Sequence, residues 1–263
     1  IFRKSKITVL AAACAALFVV ACGGGGGGSG SSASSNVITG LAVDGYIQGA
    51  TVFLDANRNG RKDAEEPSTT TDLSGRYTLE LGATAESVVG LPVVVTGGVD
   101  SDTGLAFTGR LSASVELVGQ GQVITPLTTL VDAMVSNNYA PDIATAKQKV
   151  AAALGLTVSQ LSTDPVAAIA SNPSIYAQAV TLQRSIQLLA AANARSDEAS
   201  HETQERVVKA LANAIRAQST PVDLSQLVAS LPLQNAAAAQ QLASALDRSV
   251  RSGLESYVHE QAK

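Results

Sequence analysis

The hydrophobic pattern of this 263-residue chain changes its period once, near Val123, and no other feature constrains the fold as much. From Val37 to about Leu117 the apolar residues come in short β-rich runs separated by Gly, Asp and Asn. These are Val37-Ile38-Thr39, Ala50-Thr51-Val52-Phe53-Leu54, Arg76-Tyr77-Thr78-Leu79-Glu80-Leu81 and Pro92-Val93-Val94-Val95-Thr96. Such runs predict a small antiparallel sandwich, with Tyr77, Leu79 and Leu81 facing its core. Beyond Val123 the apolar residues recur at helical spacing. Thr125-Pro126 reads as a cap and first turn, followed by the stripe Leu127, Leu130, Val131 and Met134. Gly155 is a stop signal, and Asp164-Pro165 and Asn172-Pro173 are expected to open further helices. Ile175, Ala179, Leu182, Ile186 and Leu189 form one helical face. Ser196-Asp197-Glu198 starts another helix, with Val207, Val208, Leu211 and Ile215 inside. A last long helix, from about Leu233 to His259, carries Leu242, Leu246, Val250 and Leu254. Roughly seven helices with short connections make a bundle. Strands grouped ahead of helices place the chain in the segregated α+β class. The expected domains are a small antiparallel β-sandwich over 37–122 and an Ala-rich α-helical bundle over 123–263.

The N-terminus carries an address. Arg3, Lys4 and Lys6 precede an apolar run from Ile7 to Ala21, too short to span a bilayer and suited to a secretory signal. The run ends in Val19-Val20-Ala21-Cys22, which resembles a bacterial lipobox. That resemblance implies cleavage of residues 1–21, lipidation of Cys22, and anchoring to a membrane. Gly23 rather than Asp after the Cys implies the outer membrane of a Gram-negative cell. Loss of the signal leaves 15 basic against 22 acidic residues, a net of −7 in place of −4. Residues 22–36 are the lipidated Cys and a Gly/Ser tether, a flexible coil with a reach of roughly 20 Å.

The stretch from Asp55 to Glu66 carries the most chemistry. It matches the calcium loop D-x-[DN]-x-[DN]-G-x₅-E at every specified position. Calcium takes six to eight oxygen ligands. Asp55, Asn57 and Asn59 would supply side-chain oxygens, Arg61 its carbonyl, Asp63 a direct or water-bridged oxygen, and Glu66 a bidentate carboxylate. Gly60 permits the sharp turn. Arg58 and Lys62 occupy non-ligand positions and are expected to point outward. Their charge, and Asn at two ligand positions, imply weak affinity, on the order of 10⁻⁴–10⁻³ M. A β-type run leads into the loop and Pro67 follows it, so no helix pair is available for a calcium sensor. Structural calcium is the expected role. A second acidic turn, Gly98 to Gly104, has no fixed motif and is read as a plain turn.

Three motifs in order carry a resemblance over about residues 37–115. They are Gly40-x-x-x-Asp44-Gly45-Tyr46-x-x-Gly49-Ala50-x-Val52, then Asp55-x-Asn57-x-Asn59-Gly60, then Thr71-Asp72-x-x-Gly75-x-Tyr77. Together they resemble secreted bacterial prealbumin-like β-sandwich modules. These include the calcium-binding B domains of serine–aspartate repeat adhesins and the carboxypeptidase-regulatory-like domains. The resemblance implies a spacer or stabiliser in a surface protein. The stretch from Ile124 to Val131 is similar to a segment of predicted bacterial surface lipoproteins, and it transfers no activity.

Several functions lack support in the residues. The acidic balance offers no footprint for nucleic acid. The chain has two Cys, two His and 3% aromatic residues, and it shows no catalytic motif, so no catalytic residue is assigned. His201 lies in a charged first turn expected to be solvated, and His259 near a helix end. The reading is a lipid-anchored cell-envelope protein with a structural calcium site that binds or scaffolds. Its partner would be an unidentified protein or glycan, as for an adhesin. An envelope hydrolase is the less favoured alternative.

Overall fold

Nine strands precede seven helices along the residues that the computed structural model describes, namely 36–82, 88–218, 220–233 and 236–261. The segregated α+β class is as expected. The expected signal segment, Cys22 and the expected tether up to residue 35 lie outside the described residues. Among the described residues no helix is long and apolar enough to cross a membrane.

The strands are β1 (Val37–Ala42), β2 (Ile47–Gln48), β3 (Thr51–Leu54), β4 (Ser68–Thr70), β5 (Arg76–Glu80), β6 (Pro92–Thr96), β7 (Val99–Asp100), β8 (Arg110–Ser114) and β9 (Gly121–Ile124). They form a three-stranded sheet ordered β5-β1-β9, a four-stranded sheet ordered β4-β3-β6-β8, and a two-stranded ribbon of β2 and β7. Alternation selects the inner faces. On β5, Tyr77 and Leu79 are buried while Arg76, Thr78 and Glu80 are exposed. Ile38, Tyr77, Leu79 and Ile124 of the first sheet share one core with Val52, Leu54, Val93, Val95 and Leu111 of the second. Tyr77 is the core ring expected of it. It faces Gly40 across the β1–β5 pair, where a Cβ would come within 2.5 Å of the phenol oxygen. The glycine makes room for the ring.

One pairing departs from the antiparallel expectation. β9 runs parallel to β1, with Leu41 opposite Val123. Parallel partners need a long crossover, so their pairing leaves no local turn signal in either run. Strand β9 also continues past residue 122, the expected end of the sandwich. Ile124 belongs to the sandwich core and Leu127 to the helical core, so the two cores part at Thr125-Pro126.

The helices are α1 (Pro126–Ser136), α2 (Ile143–Leu154), α3 (Val158–Leu161), α4 (Pro173–Ala192), α5 (Ser200–Arg216), α6 (Leu224–Ala229) and α7 (Ala236–Gln261). Thr125 caps α1 through a reciprocal pair with Thr128, and Gly155 closes α2 with φ 65°. The five expected residues of the α4 face are buried, as are Val207, Val208, Leu211 and Ile215 of α5. Asp164-Pro165 opens no helix. Asp164 Oδ1 accepts from the backbone N–H groups of Val166 and Ala167 in a series of turns. The residue before Pro173 is pushed from helical geometry, which bounds the stretch on its far side. Strand-like backbone at Ala199 delays α5 to Ser200, past the expected start. Of the expected α7 stripe, Val250 is half-buried; the side chains of Leu242, Leu246 and Leu254 lie outside the described ones.

The four-stranded sheet is covered on both faces. Phe53, Val94 and Ser112 stand opposite one another on its outer face, and the two apolar members are fully buried there. Helix α1 packs on that face through polar contacts to β8. The Ser112 N–H donates to Thr129 Oγ1 at 2.9 Å, and Thr128 Oγ1 donates to the Ser112 carbonyl at 3.1 Å. The hydroxyls of Ser112 and Ser114 donate to the two carboxylate oxygens of buried Asp132, both at 2.7 Å. A strand buried on both faces reads as a continuous apolar run, which is what Pro92-Val93-Val94-Val95 is. The result is three layers: sheet, sheet and helix.

Candidate metal centre

The loop from Asp55 to Glu66 joins β3 to β4, and the ladder of those strands closes its base. The Leu54 N–H donates to the Pro67 carbonyl at 3.1 Å, and the Asp55 N–H to the Pro92 carbonyl at 2.9 Å. Leu54 sits in the core, so the next residue, Asp55, enters the loop almost fully buried at 1% exposure. Its Oδ1 accepts from the Asn59 N–H at 3.0 Å and its Oδ2 from the Gly60 N–H at 2.9 Å. The chain therefore wraps around one carboxylate. The turn requires φ 59° at Arg58 and 75° at Gly60. Glycine adopts this backbone readily, whereas Arg58 holds it against the usual cost of a side chain.

The remaining expected ligands gather within this turn. Asn57 Oδ1 accepts from the Asn59 N–H at 3.0 Å, and Asn59 Oδ1 from the Arg61 N–H at 2.7 Å. The amide nitrogens of Asn57 and Asn59 both donate to Asp63 Oδ2, at 2.7 and 2.8 Å. Three side chains thus converge on one point. An amide can present either its oxygen or its nitrogen there, and a cation beside Asp63 would favour the oxygen. Glu66 closes the far end: its two oxygens accept from the backbone N–H groups of Ala56, at 2.8 Å, and Asp63, at 3.0 Å. Each Glu66 oxygen keeps a second lone pair for a metal, whereas Asp63 Oδ2 already takes two donors. Among the described residues no three His, Cys, Asp or Glu side chains gather in metal-ligating geometry. The donors here are instead carboxylates mixed with amide and backbone carbonyl oxygens. Hard oxygen donors of that kind fit calcium.

The loop also reaches well beyond itself. Arg58 was expected to point outward, yet its guanidinium donates to Ser136 Oγ of α1 and to the Gly90 carbonyl, both at 2.7 Å. Arg61 forms an ion pair with Glu202 of α5. Arg110 of β8 lies against the loop from below, 3.4 Å from Asp55 Oδ2 and 3.0 Å from Glu205 of α5. Lys62 is exposed, in line with its expected orientation. Arg110, Ser136, Glu202 and Glu205 carry no motif, and only their meeting in space marks them. Four acids and three bases lie within the loop itself. The local charge is therefore close to balanced before Arg110 is added.

The other candidates differ in setting. The Gly98–Gly104 turn is self-satisfied: Asp100 accepts from the Asp102 N–H at 2.9 Å and from Thr103 Oγ1 at 3.0 Å. His201, expected to be solvated, is half-buried, with an Nε2 that finds no hydrogen-bond partner among the described residues. The side chain of His259 lies outside the described ones. Comparison with known proteins found no matching family model, no related curated protein and no similar solved structure.

Proposed function

We propose that this chain is a lipid-anchored protein of the bacterial cell envelope that binds or scaffolds a protein or glycan partner. Cys22 holds it at the outer membrane, and the tether lets the folded part stand off the bilayer. A calcium ion bound by Asp55, Asn57, Asn59, Asp63, Glu66 and the Arg61 carbonyl would supply positive charge at the centre of the loop. The observation that supports the structural role of the loop is its position. It touches α1 through Arg58 and α5 through Arg61, so its conformation bears on how the helices dock against the sandwich. The residues of the resemblance to prealbumin-like modules agree with a stabilising role for such an ion.

Limited proteolysis of the mature chain tests the calcium part. Calcium should slow cleavage within the loop relative to chelator, and equal cleavage rates would reject the role. Fractionation of cells tests the anchor: Cys22→Ser should release the protein from membranes, and unchanged membrane association would count against lipidation.

A further inference from the structure

A cavity of about 480 Å³ lies between the Leu105–Thr108 segment of the sandwich and helices α4 and α5. Its lining grades from acidic and buried to apolar and open. Asp44 and Asp100 are 8% and 6% exposed, Phe107 and Ala190 are similarly buried, and Leu105 is 69% exposed.

Asp44 is the residue without an account. Its carboxylate lines the cavity and, among the described residues, accepts no hydrogen bond and forms no close ion pair; Arg184 acts on it from farther away. Its acidic neighbours are provided for. Asp100 is held by its own turn, and Asp102 accepts from the Tyr176 hydroxyl at 2.9 Å. Both pack tightly against the residue next to Asp44: a Cβ on Gly45 would lie 2.3 Å from Asp100 Oδ1 and 2.6 Å from Asp102 Cγ. Of the charged lining residues, Arg184 of α4 is the cation, and it donates to Gln187 Oε1 at 2.7 Å. Glu198 is taken by Arg206.

We propose that this cavity binds a primary alkylammonium group, with its charge on Asp44 and Asp100 and its methylene arm along Phe107, Ala190 and Leu105. A buried carboxylate without a hydrogen-bonding partner is costly, and an ammonium brings three donors together with positive charge closer than that of Arg184. A divalent metal would need more oxygens, and no group of three acids gathers in ligating geometry among the described residues. A neutral sugar brings hydroxyls but no charge. Burial pushes the Asp44 carboxyl up to about 7; Arg184 opposes that rise, and Asp100 and Asp102 reinforce it. Proton and ammonium therefore compete for one site, and binding weakens as pH falls through that value. The site stands apart from the calcium loop, so it survives failure of the calcium reading.

Calorimetric titration of the full chain with diaminobutane and with an Nα-acetyl-lysine amide tests the proposal. At least one should bind saturably, and which one binds separates a free amine from a lysine side chain as the natural source. Binding should be over tenfold weaker in Asp44→Asn, and weaker at about pH 5.5 than at about pH 8. Asp44→Asn removes a buried charge and should melt no lower than the parent, so lost binding would not reflect misfolding. The proposal is overturned if neither amine binds at millimolar concentration or if butanediol binds equally well. It also fails if a folded Asp44→Asn binds normally or if calcium displaces the amine.

Discussion

The guanidinium of Arg110 stands 3.4 Å from the buried carboxylate of Asp55, beneath the loop that Asp55 organises. The same group reaches Glu205 of α5 at 3.0 Å, so one side chain links sheet, loop and helix. Arg110 offers positive charge to Asp55, as a calcium ion bound in the loop would. The arginine balances that carboxylate at all times; a calcium ion would do so only when bound.

That division of labour predicts unequal costs for Arg110→Gln. Removing one partner of a buried polar pair costs about 1–3 kcal/mol. Thermal melts should show the larger loss in chelator and a smaller one in calcium, where the ion supplies the charge. An equal loss in both would mean that the two cations act independently.

Calcium itself should raise the melting temperature of the folded chain. At 10 to 100 times its dissociation constant, a ligand that binds only the folded state contributes roughly 1.4–2.7 kcal/mol. Asp55→Ala and Glu66→Ala should abolish the increment. Both should also lower the melt in chelator, because each carboxylate accepts two backbone N–H groups. Identical melts of the parent with and without calcium would remove the ion from the account.

Asp132 should matter to the helix–sheet contact with or without metal. Asp132→Ala leaves the hydroxyls of Ser112 and Ser114 buried without their acceptor, a cost of about 2–4 kcal/mol in urea unfolding. Replacing all three polar residues by apolar ones should cost less than the single change. A single variant as stable as the parent would contradict this role.

Glu198 gives the fold a dependence on acid. Its hydrogen bonds to Arg206, helped by one from Thr203, hold its carboxyl down at about 2, against an ordinary value of 4.5. A depressed folded-state value means that the contribution is complete above about pH 4.5 and is lost as pH falls toward 2. Glu198→Gln should therefore be less stable than the parent at neutral pH, with the difference vanishing near pH 2. A gap that persists undiminished at low pH would show that the ion pair is not its source.

Much of the fold is legible residue by residue. The switch near Val123, the Thr125-Pro126 cap, the Gly155 stop and the α4 face depend on neighbours within a turn or two. The calcium-type loop is legible for the same reason. Its wrapping around Asp55 is set by contacts four and five positions apart, to Asn59 and Gly60. Asp164-Pro165 shows where such reasoning fails. The local capping geometry forms as the pair suggests, yet the chain continues in turns rather than in a helix.

By itself the sequence determined the main strands β1, β3, β5 and β6, the faces of α1, α4 and α5, the caps at Thr125 and Gly155, and how the acidic loop curls. Periodicity and capping act over a few residues, and so they can be read from a few residues. Tertiary structure alone decided the parallel union of β1 with β9, the burial of the second sheet under α1, and the partners of the loop's arginines. Arg58 meets Ser136 across 78 positions of chain, and Arg61 meets Glu202 across 141. Contacts at that separation exist only once the layers have stacked, because the chemistry of an arginine names no particular acid. Packing brought these ones within reach.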